Sequence, residues 1–276
     1  MPELPEVETT RRGVGPTLIN ATVSAVRVRN ASLRWPVPPN LAELLTGQTV
    51  QAVERRAKYL LIAFAGGTLI VHLGMSGSLR FVAPGTPALK HDHIDLLLKP
   101  HGSAATVLRY RDPRRFGAWL WQPGPTELHP LLAKLGPEPL SNAFDAEHLF
   151  RATRKRSVSV KQALMDNALV VGVGNIYANE ALFHARIRPT RAANQLTHSD
   201  CQLLTEAIKA ILARAIEAGG SSLRDFVGAG GEPGYFQQTY YVYGRADEPC
   251  RVCSHPIVQI RQGQRSSFYC PGCQPR

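Results

Sequence analysis

Four cysteines near the C-terminus, Cys250-x-x-Cys253 and Cys270-x-x-Cys273, constrain this chain more than any other feature. Each Cys-x-x-Cys turn places two thiolates on one ion, and two such turns 16 residues apart close a tetrahedron around zinc. Residues 257–260 and 267–269 have strand character on either side of Gln262-Gly263-Gln264. The pattern predicts a hairpin stapled at its base, with Arg261, Arg265 and Ser266 near its tip. A four-thiolate site has no open position, so one zinc ion there is structural. The first residues carry Glu3, Glu6 and Glu8 and do not read as a signal peptide, which favours metal over disulfides. The fifth cysteine, Cys201, stands in a helical pattern and reads as a small buried hydrophobe. Zinc modules of this size grip nucleic acid, contact protein or act as plain scaffold.

Charge narrows the partners. Lys and Arg number 32 against 21 acids, a net +11. Such a field attracts polyanions, though charge alone leaves DNA, RNA, acidic lipid and a merely basic protein open. No run approaches the roughly 18 apolar residues of a membrane span, so no membrane partner and a cytoplasmic location are expected.

The 276 residues leave room for more than one domain. A short helix is expected over 3–14, with Pro5 in its first turn, where a missing N–H costs little. From 21 to 121 the apolar period is two, with strand-like runs at 26–28, 50–53, 59–64, 68–73, 79–82, 93–98, 106–110 and 118–121. Turn signals such as Gly66-Gly67 and His101-Gly102 separate several of them. Short strands at this spacing predict an antiparallel sandwich. The proline-rich stretch 122–139 reads as a linker holding one short helix. Helices follow at 146–152, 160–165 and 175–185. A longer one starts near Ser199 with Gln202 as its capping partner and stops at Gly219-Gly220. The class is therefore α+β, with domains at 1–130, 131–240 and 241–276.

The opening Met1-Pro2-Glu3-Leu4-Pro5-Glu6 carries a chemical possibility. Removal of Met1 leaves a secondary amine, partly neutral near physiological pH. Its attack on a sugar carbon gives an iminium, an electron sink, and Glu3 is placed to move protons. Taken alone, the segment reads as a solvated arm, because many proteins begin Met-Pro.

Seven blocks in order decide between these. They are MPELPEVET at the start, RRAKYLL at 55–61, HLGMSGSLR at 72–80, KHDH at 90–93, DPRRFG at 112–117, VGVGNIYANEALF at 171–183 and the terminal cysteine hairpin. Together they resemble the formamidopyrimidine-DNA glycosylases across essentially the whole chain. The resemblance implies a β-sandwich, a helix–two-turn–helix element and a zinc finger in a monomer. It implies excision of oxidised purines (8-oxoguanine opposite cytosine, and ring-opened purines) from double-stranded DNA, and cleavage at abasic sites. Pro2 matches the nucleophile at C1′ and Glu3 the proton-transfer carboxylate. Lys58 matches a lysine of base release and β-elimination, and Arg265 the arginine of δ-elimination.

Extraction of a nucleotide leaves a hole in the duplex, and the family fills it with residues that match Met75, Arg114 and Phe116. Without the resemblance, Met75 reads as core and Asp112 with Arg114-Arg115 as a salt-bridged turn. His91-Asp92-His93 tempts a metal reading, but no third ligand stands nearby, and the resemblance makes His91 a DNA contact. Gly172-Val173-Gly174 is no dinucleotide fingerprint, because Tyr177 stands where the third glycine belongs. It reads as a turn into a helix N-terminus, with Asn175 as cap and phosphate ligand. Residues 151–161 hold five basic side chains and no acid, and Arg156 is the expected phosphate contact among them. The Gly/Ser-rich stretch 219–235 is expected to close over the extruded base. Two competitors remain. One is an endonuclease VIII-type enzyme for oxidised pyrimidines, against which Leu4, Arg114 and Phe116 argue. The other is a non-catalytic zinc-hairpin DNA-binding protein, which leaves the first nine residues unexplained.

Overall fold

The computed structural model describes residues 2–99, 104–220 and 239–275. The expected turn at His101-Gly102 and nearly all of the Gly/Ser-rich stretch lie outside them. The chain forms two compact units, one built on residues up to Ala133 and the other on Lys134–Glu217 with the C-terminal segment.

The first unit opens with helix α1 (Leu4–Leu18) and then strand β1 (Thr22–Val28), the one-turn helix α2 (Leu41–Leu45), β2 (Ala52–Arg56), β3 (Tyr59–Phe64), β4 (Gly67–His72), β5 (Ser78–Val82), β6 (Asp92–Lys99), β7 (Thr106–Arg111) and β8 (Ala118–Gln122). The strands form two four-stranded antiparallel sheets, ordered β1-β6-β7-β5 and β2-β3-β4-β8. Alternate residues of both sheets, among them Leu60, Ile62, Leu69 and Val71 from one and Val23, Ile94, Leu96 and Leu108 from the other, enter a single apolar cluster. The fold is therefore a sandwich, and burying each such side chain contributes about 1.5–3 kcal/mol. Val7, Val14 and Leu18 of α1 join the same cluster.

Sequence periodicity misplaced several boundaries here. Helix α1 runs to Leu18, through Pro16 in its last turn, because Leu18 is fully buried in the core. The second strand begins at Ala52. Val50 turns away from it, exchanging backbone hydrogen bonds with Asn20 and Ala21. Helix α2, after Pro38-Pro39-Asn40, had no legible period in five residues.

In the second unit a 3-10 turn (Ala193–Gln195) lies among helices α3 (Ala146–Thr153), α4 (Val160–Leu164), α5 (Asn175–His184) and α6 (His198–Glu217). The expected capping pair of α6 is displaced toward the N-terminus. The Thr197 hydroxyl accepts from Asp200 N at 3.1 Å, and Asp200 Oδ2 accepts from Thr197 N at 2.8 Å. Thr197 and Asp200 thus form the capping box, and Ser199 lies inside the helix. Cys201, Leu204, Ile208, Ile211, Leu212 and Ala215 form its buried stripe. Burial pushes the Cys201 thiol up to about 11, so it stays an unreactive apolar group. Strands β9 (Val258–Gln262) and β10 (Arg265–Tyr269) form the terminal hairpin. Among the described residues no helix is long and apolar enough to cross a membrane.

Candidate active site

Residues 2–8 are all buried, so the opening segment is not a solvated arm. Glu3, 2% exposed, is the N-cap of α1 in extended conformation, with Pro5 in the first turn. Glu3 and Glu6 form a reciprocal capping box in which Glu3 N donates to Glu6 Oε2 at 2.8 Å. The Pro2–Glu3 peptide is thereby held at the positive end of a helix, where carboxylates are favoured.

Lys58 lies in the two-residue turn between β2 and β3, beside Ala57, which adopts φ +53°. Arg55 ties that turn to α1. Its Nη1 donates to Ala57 O at 2.9 Å, while its Nε lies 3.3 Å from Glu8 Oε2. Burial pushes the Glu8 carboxyl up, but Arg11, Arg12 and Arg55 outweigh it and hold Glu8 below its ordinary range. Lys58 itself is 9% exposed. It helps depress His72, whose value falls to about 4 through burial first and then the charges of Lys58 and Arg34. Neutral His72 accepts from Gly74 N on Nδ1 at 2.9 Å. Arg55 thus ties the turn that carries Lys58 to helix α1, whose N-terminal end carries Pro2 and the buried Glu3 carboxylate. These are residue types that an amine-nucleophile mechanism uses.

Met75 lies in the turn after β4, and Arg114 and Phe116 lie between β7 and β8. Met75 is 36% and Phe116 41% exposed, so neither is core. The Arg114 guanidinium stacks 4.9 Å over the Phe116 ring. Exposed apolar side chains backed by a cation suit insertion between bases. His91 is partly exposed just before β6. His93 is instead buried, its Nε2 2.8 Å from Asp112 O. The pair does not form a metal site. Among the described residues the cysteines are the ligand cluster that converges.

In the second unit the four Sγ atoms lie within 4.8 Å of one another. Cys253 Sγ is 3.3 Å from Cys270 and 3.4 Å from Cys273, and Cys250 is 3.9 Å from Cys273. These separations are far beyond the ~2.05 Å of a disulfide. They approach the ~3.8 Å edge of a tetrahedron with ~2.3 Å zinc–sulfur bonds. Val252 N and Cys273 N each approach a thiolate sulfur at 3.4 Å, which favours its charge. The donor set fits zinc with no open position. Phe183, Val242, Ile257 and Phe268 pack around it.

Arg265 is exposed at the first position of β10. It shares a cleft of about 270 Å³ with Lys161, Met165 and Gly263. Sequence reasoning counted Lys161 only as one more member of a basic run. It is in fact 1% exposed, and its Nζ donates to Ser266 O at 2.7 Å and Ser267 Oγ at 2.6 Å. Asn175 is not the cap of α5. Gly174 is, and Asn175 Nδ2 donates to Ser266 O at 3.1 Å, leaving a buried Oδ1 with no donor among the described residues. Arg156 pairs with Asp166 and donates from Nε to Ala152 O at 3.1 Å, so part of its fork is already engaged. Glu180 was missed altogether. Its carboxylate accepts from the backbone N–H groups of Tyr241, Val242 and Tyr243 at 2.8–3.0 Å.

Comparison with known proteins converges on one family. Residues 1–119 match the Formamidopyrimidine-DNA glycosylase N-terminal domain, 135–227 the Formamidopyrimidine-DNA glycosylase H2TH domain, and 247–276 a zinc finger found in FPG and IleRS. A formamidopyrimidine-DNA glycosylase of Thioalkalivibrio sulfidiphilus is 58% identical over 99% of this chain and 100% of its own. A Lactococcus lactis FPG variant in complex with Fapy-dG-containing DNA superposes with a TM-score of 0.91 at 34% identity, covering 100% of both chains. The Lactococcus lactis Fpg in complex with DNA containing an abasic site gives 0.90 at 35% identity, over 99% of this chain and 100% of that one.

Proposed function

This chain belongs to the formamidopyrimidine-DNA glycosylase family, and from that premise we propose how its own residues carry out excision and strand cleavage. The enzyme is a bifunctional glycosylase and abasic-site lyase of base-excision repair that acts as a monomer on double-stranded DNA carrying oxidised purines. Its place of work is the bacterial cytoplasm, at the nucleoid.

Once Met1 is removed, the Pro2 nitrogen attacks C1′ of the extruded nucleotide. The bond from C1′ to the base breaks, and the base departs with a proton delivered through Glu3. The C1′–O4′ bond then breaks, O4′ taking up a proton as the Pro2 nitrogen gives one up, and the opened sugar is left as an iminium on Pro2. That positive charge acidifies the C2′ proton. Its loss expels the 3′-phosphate, and a second elimination, assigned to Arg265, expels the 5′-phosphate. Lys58 assists base release and the first elimination. Met75, Arg114 and Phe116 occupy the vacated space in the duplex, and His91, Arg156 and Asn175 contact the backbone. The zinc ion holds the hairpin on which Arg265 sits.

The observation that carries this reading is the burial of residues 2–8, with Glu3 serving as helix cap. A flexible tail would have to be ordered at each turnover, whereas a capped helix presents its nucleophile already oriented. Borohydride reduction of the iminium during reaction with 8-oxoguanine duplex tests it. Wild-type protein is expected to become covalently bound to DNA, and Pro2→Gly or a form retaining Met1 to lose most of that product. Unchanged trapping in both removes Pro2 from the mechanism. Thymine glycol duplex run in parallel reports the preference for purines.

A further inference from the structure

We propose that Asp112, which the mechanism does not use, is the positioning residue that holds Met75, Arg114 and Phe116 in one register, so that they enter the duplex as a unit. The inference rests on the void-filling reading above. Asp112 is fully buried. Its Oδ1 accepts from Ser76 Oγ at 2.7 Å and Arg114 N at 3.3 Å, and its Oδ2 accepts from Tyr110 Oη and Gly117 N, both at 2.9 Å. Ser76 follows Met75 and Gly117 follows Phe116, so one carboxylate grips the chain next to each inserting side chain. Its backbone extends the same role to the third DNA-contacting segment. Asp112 N donates to His91 O at 3.0 Å, and Asp112 O accepts from Arg115 N at 3.2 Å.

The two loops are built to close on this group. A Cβ on Gly117 would stand 1.8 Å from Tyr110 Oη, and a Cβ on Gly74 (φ +64°) would stand 2.4 Å from the Phe116 carbonyl carbon. Gly74 must be glycine for the two loops to touch through their backbones, and Gly117 to leave room for the Tyr110 hydroxyl. Burial first, and then the neighbouring Asp112 charge, push the Tyr110 hydroxyl far up, so it remains a donor to the carboxylate. Hydrogen bonds to a charged acceptor in a dry site are the strong kind, and they leave the loops little freedom. The side chains are thus exposed at their tips and fixed at their roots.

The test compares Asp112→Asn, Ser76→Ala and Tyr110→Phe with Met75→Ala/Phe116→Ala. Two substrates are used, an 8-oxoguanine:cytosine duplex and a single strand carrying a preformed abasic site, which has no void to fill. Single-turnover excision from the duplex is expected to fall about ten- to a hundredfold in Asp112→Asn and less in the two hydroxyl deletions. Borohydride trapping on the single strand should stay within about twofold of wild type. In the Met75→Ala/Phe116→Ala background, adding Asp112→Asn should cost little more, because its effect runs through those side chains. A purely structural role would lower both substrates together and add fully to the double variant. If Asp112→Asn does not fold, Ser76→Ala and Tyr110→Phe decide, and full duplex activity in both overturns the proposal. Loss in Met75→Ala/Phe116→Ala with none in the Asp112 set also overturns it while sparing the void-filling reading. No loss in Met75→Ala/Phe116→Ala overturns that reading itself.

Discussion

Lowering the pH should weaken this protein, and among its buried imidazoles His72 carries a shift large enough to measure by itself. His72 sits at the end of β4 with its ring 4.9 Å from that of Tyr59, and its Nδ1 accepts from Gly74 N. Burial and the charges of Lys58 and Arg34 bring its value from an ordinary 6.5 to about 4. Above pH 6.5 the ring is neutral in both folded and unfolded chains, and its contribution to stability is complete. Below 6.5 the unfolded chain takes up a proton that the folded chain refuses until about pH 4, so stability falls across that window and levels off beneath it. At about 1.4 kcal/mol per pH unit, the gap from 6.5 to about 4 is worth up to about 3.4 kcal/mol. The ring keeps a partly exposed edge, which trims this to roughly 2 kcal/mol. Protonation also takes the acceptor from Gly74 and frees the turn carrying Met75. Urea unfolding of wild type and His72→Asn between pH 7.5 and 4 isolates the effect, because asparagine keeps an acceptor near Nδ1 and does not titrate. Wild type should lose about 2 kcal/mol more than the variant over that range. A difference between the two that stays constant with pH refutes the reasoning.

Three further outcomes follow from the geometry. Glu180→Ala takes the carboxylate acceptor from one buried and two part-buried N–H groups at residues 241–243 and should cost about 2–4 kcal/mol of second-unit stability, read by urea unfolding. Gly117→Ala forces a methyl group onto Tyr110 Oη, so it should unfold several degrees below wild type in a thermal melt and lose duplex excision, since loop and hydroxyl cannot both stay in place. Removing zinc with a strong chelator should unfold the hairpin, release four titratable thiols and abolish tight duplex binding, while the apolar core of the first unit, which contains no cysteine, keeps its circular dichroism.

What the sequence made legible was what repeats or what needs few partners. Strand β3 was read at its true limits and β7 to within a residue, because alternate apolar residues, Leu60, Ile62 and Phe64 in one and Leu108 and Tyr110 in the other, enter the core. The cysteine spacing dictated its own geometry. Tertiary polar contacts had no such signature. Lys161 looks like any lysine in a basic run, and only Ser266 and Ser267, more than 100 residues away, reveal that its ammonium is a buried strut. Asp112 next to Arg114-Arg115 looked like a salt-bridged turn, yet none of its hydrogen bonds comes from a guanidinium. Asn175 looked like a helix cap because the residue type suits caps, but Gly174 could take the extended cap conformation and left Asn175 free to hold the hairpin.

Glu6, Asp112 and Glu180 share a logic that net charge conceals. All three are buried almost completely in a chain rich in arginine, yet each accepts from backbone N–H groups. Asp95 shows the alternative, lying between the guanidiniums of Arg109 and Arg29. An arginine partner has a long side chain to immobilise and offers its charge to any nearby phosphate, so in a DNA-binding protein such a pair competes with the substrate. A backbone N–H has no rotamer to lose and no charge to be drawn away. Each of the three carboxylates braces a segment whose position matters: Glu6 the peptide after Pro2, Asp112 the loops of Met75 and Phe116, and Glu180 the chain entering the zinc module. Bracing by N–H donors keeps these segments fixed whether or not polyanionic DNA is present. It follows that raising salt should weaken DNA binding through the surface cations while leaving these three anchors intact.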